Sequence, residues 1–246
     1  MKSKKRLDLL LVEKGLVATQ KEAAALIMAG KVFSENRCLN KPGEMFANNA
    51  HIELKHIKEH NWVSRGGIKL DHGLKHFGIN VSNKIALDIG CSTGGFTDVL
   101  LNYGAKKVYA IDVGYGELDW KLRNNDKVVL HERTNAKHLT PKLIPDPIEI
   151  IVCDASFISL KTILPASLKL ASPQAYLIAL IKPQFEAKKE EVGENGIITD
   201  SAIHQKVCND IHNWVSLQNW NVIGITESPI KGREGNTEFL IGATNG

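Results

Sequence analysis

Apolar positions recur at helical spacing at the start of the chain and change rhythm further on. Leu7, Leu10 and Leu11 mark a first helix that Gly15 ends, and Thr19 is placed to cap a second, with Glu22 three residues on as a capping box. Ala23, Leu26 and Ile27 form the apolar face of that second helix, and Gly30 closes it. Val32-Phe33, a polar turn at Glu35-Asn36 and the stretch from Lys41 to Lys55 predict short strands joined by turns. A helix follows from Ile68 to Gly78, with Ile68, Leu74 and Phe77 inward and Lys69 and Lys75 on its polar side. Beyond it, apolar runs at 85–89, 107–112, 128–131, 148–154, 175–182, 221–227 and 237–243 alternate with helical patterns. The run at 148–153 is almost wholly apolar, as in the centre of a parallel sheet. The pattern predicts a small α+β domain at 1–59, a linker at 60–66 and an α/β domain at 67–246 with seven mostly parallel strands and a closing antiparallel hairpin.

The stretch IALDIGCSTGGFTDVL, Ile85 to Leu100, is strand, glycine-rich turn and helix, the first unit of a Rossmann-like sheet. Glycines let the backbone come close to a ligand, and the amides of a helix start offer donors. The turn departs from the dinucleotide pattern G-x-G-x-x-G, and Asp88 stands two residues before its first glycine. An acid so placed suits a ligand carrying positive charge. The spacing resembles the first motif of class I S-adenosylmethionine-dependent methyltransferases; a tight structural turn after a buried strand is the alternative. Asp112 ends the next strand, where an acid hydrogen-bonds ribose hydroxyls. The candidate cofactor residues are Asp88, Gly90, Cys91, Ser92, Thr93, Gly94, Gly95, Phe96, Asp112, Val113 and Asn135, the last facing an adenine edge or serving only as a turn residue.

Charge sharpens the division. The formal net charge is +4, with 11 Lys/Arg against 7 Asp/Glu in residues 1–60 and 20 against 20 in the rest. That excess points the first domain toward a polyanion. Two short helices, a small β unit, Arg6-Leu7-Asp8, the run from Ala23 to Val32 and Lys41-Pro42-Gly43 resemble the RNA-binding domain of ribosomal protein S-four, which also occurs in pseudouridine synthases and tyrosyl-tRNA synthetases. The candidate RNA-binding residues are Lys4, Lys5, Arg6, Lys21, Lys31, Arg37 and Lys41, with Arg65 in the cationic linker Ser64–Gly67 and Arg233 in the basic turn KGREGN. Gln20 stands where this pattern often has Arg. A helical cap packing on the main domain is the competing reading. Trp62 and Val63 are expected to pack between the domains, and the glycine-punctuated stretch 184–200 is a candidate lid. Cys38, Cys91, Cys153 and Cys208 lie far apart without metal-ligand spacing, so reduced thiols in a cytoplasmic protein are expected. No run reaches the roughly 18–20 apolar residues of a membrane span.

Lys69, Asp154, Lys182 and Glu238 are four charges on separate elements. Lys182 directly follows seven apolar residues, where burial unpaired is costly, so an acidic neighbour is expected. With the segments SRGGIKL, LDIGCSTGGFTD, AIDVGYGEL, CDASFISL, IKPQFE and NTEFL, the whole chain is similar to the TlyA, or haemolysin-A-type, family, an S-four RNA-binding domain fused to an FtsJ-like ribose methyltransferase. The resemblance implies that the four residues are a catalytic Lys-Asp-Lys-Glu tetrad, with S-adenosylmethionine as cofactor and no metal. It further implies 2′-O-methylation of cytidine in ribosomal RNA, in ribosomal subunits, with large-subunit RNA favoured by the short N-terminus. His60 departs from the Arg frequent in this family's linker. Lys182 as a neutral amine would accept the ribose proton, favoured by Lys69 and opposed by Asp154. A monomer is expected. A cytolytic haemolysin, a noncatalytic ribosome-assembly factor, a pseudouridine synthase and an NAD-dependent enzyme are the competing functions; the glycine turn and tetrad argue against the second and third, and the lack of an insertion segment against the first.

Overall fold

The structure, a computed structural model, describes residues 4–35, 37–54, 60–232 and 234–246. The chain divides into two compact units between Asn61 and Trp62.

In the first unit, β1 (Lys4–Arg6) runs into α1 (Leu7–Glu13), followed by α2 (Gln20–Met28), β2 (Val32–Ser34), β3 (Arg37–Leu39), β4 (Met45–Ala47) and β5 (Glu53–Leu54). β1 pairs antiparallel with β4, and β3, β2 and β5 form a second small sheet. Leu7, Leu10, Leu11, Ala23, Ile27, Val32, Leu39 and Ile52 make its core. Glu22 N donates to Thr19 Oγ1 at 3.2 Å, and Glu22 Oε2 accepts from Ala18 N at 3.0 Å, so the capping pair reaches one residue further back than T-x-x-E suggests. Asp8 is buried and accepts from Arg6 Nε and Nη2 at 3.1 and 2.7 Å, Gln20 Nε2 at 3.0 Å and Leu9 N at 2.9 Å. The Arg6 guanidinium holds its carboxyl well below the ordinary range, at about 2.

The second unit contains α3 (Gly66–Phe77), β6 (Ile85–Ile89), α4 (Gly95–Asn102), β7 (Lys107–Ile111), α5 (Trp120–Arg123), β8 (Val128–His131), β9 (Ile148–Cys153), α6 (Leu160–Leu168), β10 (Ala171–Ile181), α7 (Pro183–Glu186), α8 (Ser201–Leu217), β11 (Asn221–Glu227) and β12 (Phe239–Thr244). The sheet order is β11-β12-β10-β9-β6-β7-β8, with β12 antiparallel to both neighbours and the remaining pairs parallel. Side chains alternate across the strands with period two. Ala86, Ile150, Val152, Ile178 and Leu240 face α3 and α4, while Leu87, Ile89, Ile151, Leu177 and Ile181 face α6 and α8. The result is a three-layer α/β/α unit whose functional edge is the carboxyl end of the parallel strands, at the point between β6 and β9 where the strand order reverses.

Residues 62–65, expected as part of a linker, pack into this unit. The Trp62 ring lies against the core cluster on the α3/α4 face, and a Cβ at Gly67 would come within 2.4 Å of it. Val63 packs on a smaller cluster with Leu118 and Leu122, and its amide donates to Asp98 Oδ2 at 3.0 Å. The stretch 184–200 carries α7 and short 3-10 turns, tied down by Asn236, whose Oδ1 accepts from Ile198 N at 3.0 Å while its Nδ2 donates to Gly196 O at 3.0 Å. Helix α3 sits on the sheet through Phe77, whose ring occupies the space above Gly242: a Cβ there would lie 2.6 Å from it.

Gly242→Ala must therefore displace the Phe77 ring or separate α3 from the sheet, an overpacking cost of about 1–3 kcal/mol. The expected outcome is a melting temperature lowered by several degrees; an unchanged melting temperature in calorimetry would show that α3 is not seated by this contact.

Candidate active site

Sheet register brings the four charged residues together. Ile181 ends β10 and pairs with Phe239, which begins β12 in the opposite direction, so Lys182 and Glu238 emerge side by side at one edge. Cys153 pairs in parallel with Ala179 and Ile89, which delivers Asp154 to the same edge from the neighbouring strand. Lys69, one turn into α3, reaches in from above and is buried, not on the solvent side expected from periodicity. Lys69 Nζ lies 2.6 Å from Glu238 Oε2 and 3.5 Å from Asp154 Oδ2, and Lys182 Nζ lies 2.6 Å from Asp154 Oδ1. Lys182 Nζ also donates to Ser156 Oγ at 2.8 Å, with a long contact to Asp154 O at 3.5 Å. The chain of contacts runs Glu238–Lys69–Asp154–Lys182, acidic and basic side chains in alternation.

These groups line one end of a cavity of about 810 Å³ that extends to Gly90–Thr93, Asp112, Val113 and Asn135. Gly90 has φ +77° and an added Cβ would come within 3.2 Å of Asp154 O and Ala155 Cα, so this turn requires glycine. Gly95 is required by a different neighbour: a Cβ there would lie 2.3 Å from Ser64 Oγ and 2.8 Å from Gly67 N, at the start of α3. Several amides expected to face a ligand are already committed. Gly90 N and Cys91 N donate to Ile111 O at 2.9 and 3.2 Å, Ser92 N to Asp112 Oδ2 at 2.7 Å and Gly94 N to Cys91 O at 2.7 Å. Asp112 Oδ1 accepts from Gly114 N at 2.7 Å, which aims its carboxylate along the cavity wall.

Two expected cofactor residues do not line the cavity. Gly94 faces Leu118 and Leu122 with φ +95°. Asp88 is fully buried in the sheet; its Oδ2 accepts from Thr97 Oγ1 at 2.6 Å and its Oδ1 has no hydrogen-bond partner among the described residues. Asp88 therefore lies beneath the turn and not on the cavity wall. Burial pushes its carboxyl up to about 7, against the pull of the Thr97 hydrogen bond. Asn135 lines the cavity but its Oδ1 accepts from Lys137 N at 3.1 Å as a helical cap. Sequence reasoning missed Ser156, Phe157, Glu117 and Phe185, all at the cavity. Phe157, with φ +64° and 87% exposed, has its ring 5.0 Å from that of Phe185. The signal that could have found them is motif context: CDASFISL contains the first two, AIDVGYGEL contains Glu117 and IKPQFE contains Phe185.

Among the candidate RNA-binding residues, Lys4, Lys21, Lys31, Lys41 and Arg65 are exposed, and Arg65 lines the cavity. Lys5, Arg6 and Arg37 are ion-paired with Glu13, Asp8 and Glu44. Arg233 lies outside the described residues. Gln20 uses its amide on Asp8, an internal role for the residue that departs from the S-four pattern. Among the described residues no group of three or more His, Cys, Asp or Glu side chains is placed to hold a metal ion, and no helix is long and apolar enough to cross a membrane.

Comparison with known proteins matches residues 62–245 to the model described as FtsJ-like methyltransferase. The chain belongs to the FtsJ-like methyltransferase family. It is 41% identical over 241 residues to the 16S/23S rRNA (cytidine-2′-O)-methyltransferase TlyA of Mycobacterium tuberculosis, covering 98% of this chain and 90% of that one. It is 41% identical over 236 residues to Hemolysin A of Brachyspira hyodysenteriae, covering 96% and 98%. A solved hemolysin-type protein from Streptococcus thermophilus matches with a TM-score of 0.76 at 40% identity, covering 100% of this chain and 90% of that one. The resemblance to the TlyA-type family holds over nearly the whole chain.

The buried Asp88 generates a pH test. Its carboxyl titrates at about 7 in the folded state against an ordinary value of 3.8, so the folded protein holds the extra proton between those values and stability falls as pH rises through that window. Asp88→Asn removes this term. Its unfolding free energy, measured in urea at pH 5 and pH 7, is expected to gain on wild type by on the order of 1.4 kcal/mol per pH unit; a constant difference between the two proteins would show that Asp88 does not titrate there.

Proposed function

We propose that this protein is an S-adenosylmethionine-dependent 2′-O-methyltransferase acting on cytidine ribose of ribosomal RNA, in the cytoplasm. The observation that carries the reading is the alternating chain Glu238–Lys69–Asp154–Lys182 at one end of a cavity whose other end presents Asp112. The cavity residues fit the cofactor. Asp112 presents a carboxylate for ribose hydroxyls, the Gly90 cradle admits a close approach, and Asp112 and Glu117 give the wall beside it a negative character suited to a sulfonium cation. Val113, Ala136 and Ile163 supply apolar wall for a base, beside Asn135. Bound there, the cofactor supplies an already activated methyl group.

The residues then have distinct tasks. Lys182, once its own ammonium proton has passed to solvent and left the neutral amine, receives the proton of the ribose 2′-hydroxyl, a weak nucleophile until it is oriented and relieved of that proton. Asp154 joins the two lysines and orients both, while Glu238 fixes Lys69 beside them. Most of the acceleration comes from holding hydroxyl and methyl donor in register. The exposed Phe157 ring at the cavity offers a stacking surface for a base taken out of its helix. The exposed Lys4, Lys21, Lys31 and Lys41 of the first unit hold RNA phosphates, with Lys5, Arg6 and Arg37 contributing only the donors their ion pairs leave over. Arg65 adds a cation at the cavity itself.

The test is transfer of labelled methyl from S-adenosylmethionine to small and large ribosomal subunits purified from cells lacking this protein. Wild type is expected to label the large subunit, and Lys182→Ala to lose about 100-fold or more in rate while still binding the cofactor. Label on both subunits would widen the specificity. Lys182→Ala within a few-fold of wild type would overturn the proton-acceptor role, and no label with cofactor bound would overturn the substrate.

A further inference from the structure

Lys182 is aimed by its neighbours, and the residues that aim it lie on one short segment. That segment leaves β9 at Asp154 and enters α6 at Leu160, carrying both close partners of the amine: Asp154 Oδ1 at 2.6 Å and Ser156 Oγ at 2.8 Å. Its backbone is strained. Phe157 stands at φ +64°, a conformation that a bulky residue keeps only when its surroundings hold it there. The holding group comes from the turn that carries Lys182 itself. Glu186, four residues further on in α7, accepts from Ser159 Oγ at 2.6 Å through Oε2 and from Leu160 N at 2.7 Å through Oε1. Phe185, one residue earlier, packs its ring on Phe157. Burial pushes the Glu186 carboxyl up while these two donors pull it back, so the carboxylate is partnered on both oxygens.

We propose that Ser156 is a positioning residue for Lys182 and that Glu186, by clamping Ser159 and Leu160, keeps Ser156 in register. Asp154 Oδ1 lies 2.6 Å from the amine as an ion pair, and the Ser156 hydroxyl accepts one of its N–H groups; the remaining contact, to Asp154 O, is long at 3.5 Å and is the one that the methyl-accepting hydroxyl displaces. Neither residue touches the ribose in this scheme. Both act through the direction in which the lysine nitrogen points, so they set turnover and not affinity. The inference rests on the reading of Lys182 as proton acceptor in methyl transfer to ribosomal RNA.

Full-length Ser156→Ala, Ser156→Thr, Glu186→Ala, Glu186→Gln and the double alanine variant would be compared with wild type for methyl transfer to ribosomal subunits, with cofactor binding and melting temperature measured on the same preparations. Ser156→Ala is expected to lower kcat by about 10- to 100-fold, the scale of a misplaced catalytic group, with KM for S-adenosylmethionine within about twofold and melting temperature unchanged. Ser156→Thr keeps the hydroxyl and restores most of the rate. Glu186→Ala lowers kcat in the same direction, Glu186→Gln retains most of it, and the double variant is no slower than Ser156→Ala alone, because both changes break one coupling. Wild-type kcat in Ser156→Ala, or losses that multiply in the double variant, would overturn the proposal. Should wild type itself transfer no methyl to either subunit while binding cofactor, the underlying reading of function fails instead.

Discussion

Two lysines and two carboxylates share a pocket with little access to water, and none of them is stable there except as a member of the set. Removing charges from water costs several kcal/mol per ion, returned only when each finds an opposite partner at close range. Lys69 and Lys182 do so through Asp154, which touches both, and through Glu238, which lies 2.6 Å from Lys69. That requirement fixes much of the surrounding architecture. Helix α3 must bring its first turn down onto α4, which is possible because Gly67 and Gly95 carry no Cβ where Trp62, Ser64 and the backbone already sit. Gly232 is under the same constraint from the other side, since a Cβ there would stand 2.7 Å from Glu238 Oε1. Asp98, almost wholly buried, holds the Val63 amide and so fixes the approach to α3.

Much of this was legible in the sequence. Strand positions followed from apolar runs of four to eight residues, and the site edge followed from the charged residue that ends three of them: Asp112, Asp154 and Lys182. What escaped was anything decided by tertiary packing. Lys69 has the spacing of a surface residue on α3 and is buried because Glu238 and Asp154 wait beneath it. Asp88 has the position of a ligand-binding acid, yet its carboxylate turns into the sheet toward Thr97, nine residues on, which no local pattern announces. Residues 62–65 have the composition of a hinge and are held by Gly67 and Asp98. The α5 turn and Glu186 were invisible for the same reason: four-residue helices carry no period, and a carboxylate in a polar loop looks solvated until its partners are known.

The first unit shows the same logic on a smaller scale. Its seven candidate cations do not form one uniform basic surface, because Asp8, Glu13 and Glu44 draw three of them into ion pairs. Asp8 is the extreme case, a buried acid that Arg6 and Gln20 both serve, so the motif residue Arg6 is structural and electrostatic at once. Exposed pairs of this kind contribute little to stability and mainly set where charge is presented.

The placement of β12 has a consequence for the order in which the molecule can assemble. β12 follows β11 in the chain, but it lies between β11 and β10, and among the described residues β11 pairs with β12 alone. Until β12 inserts, β10 is an open edge, and β11 has no strand to pair with. Glu238 arrives on the same strand. Completion of the sheet and completion of the charge chain are therefore a single event: a partly folded chain with a formed glycine turn and an unfilled β10 edge would have Lys69 and Lys182 in place without the carboxylate that settles the first of them.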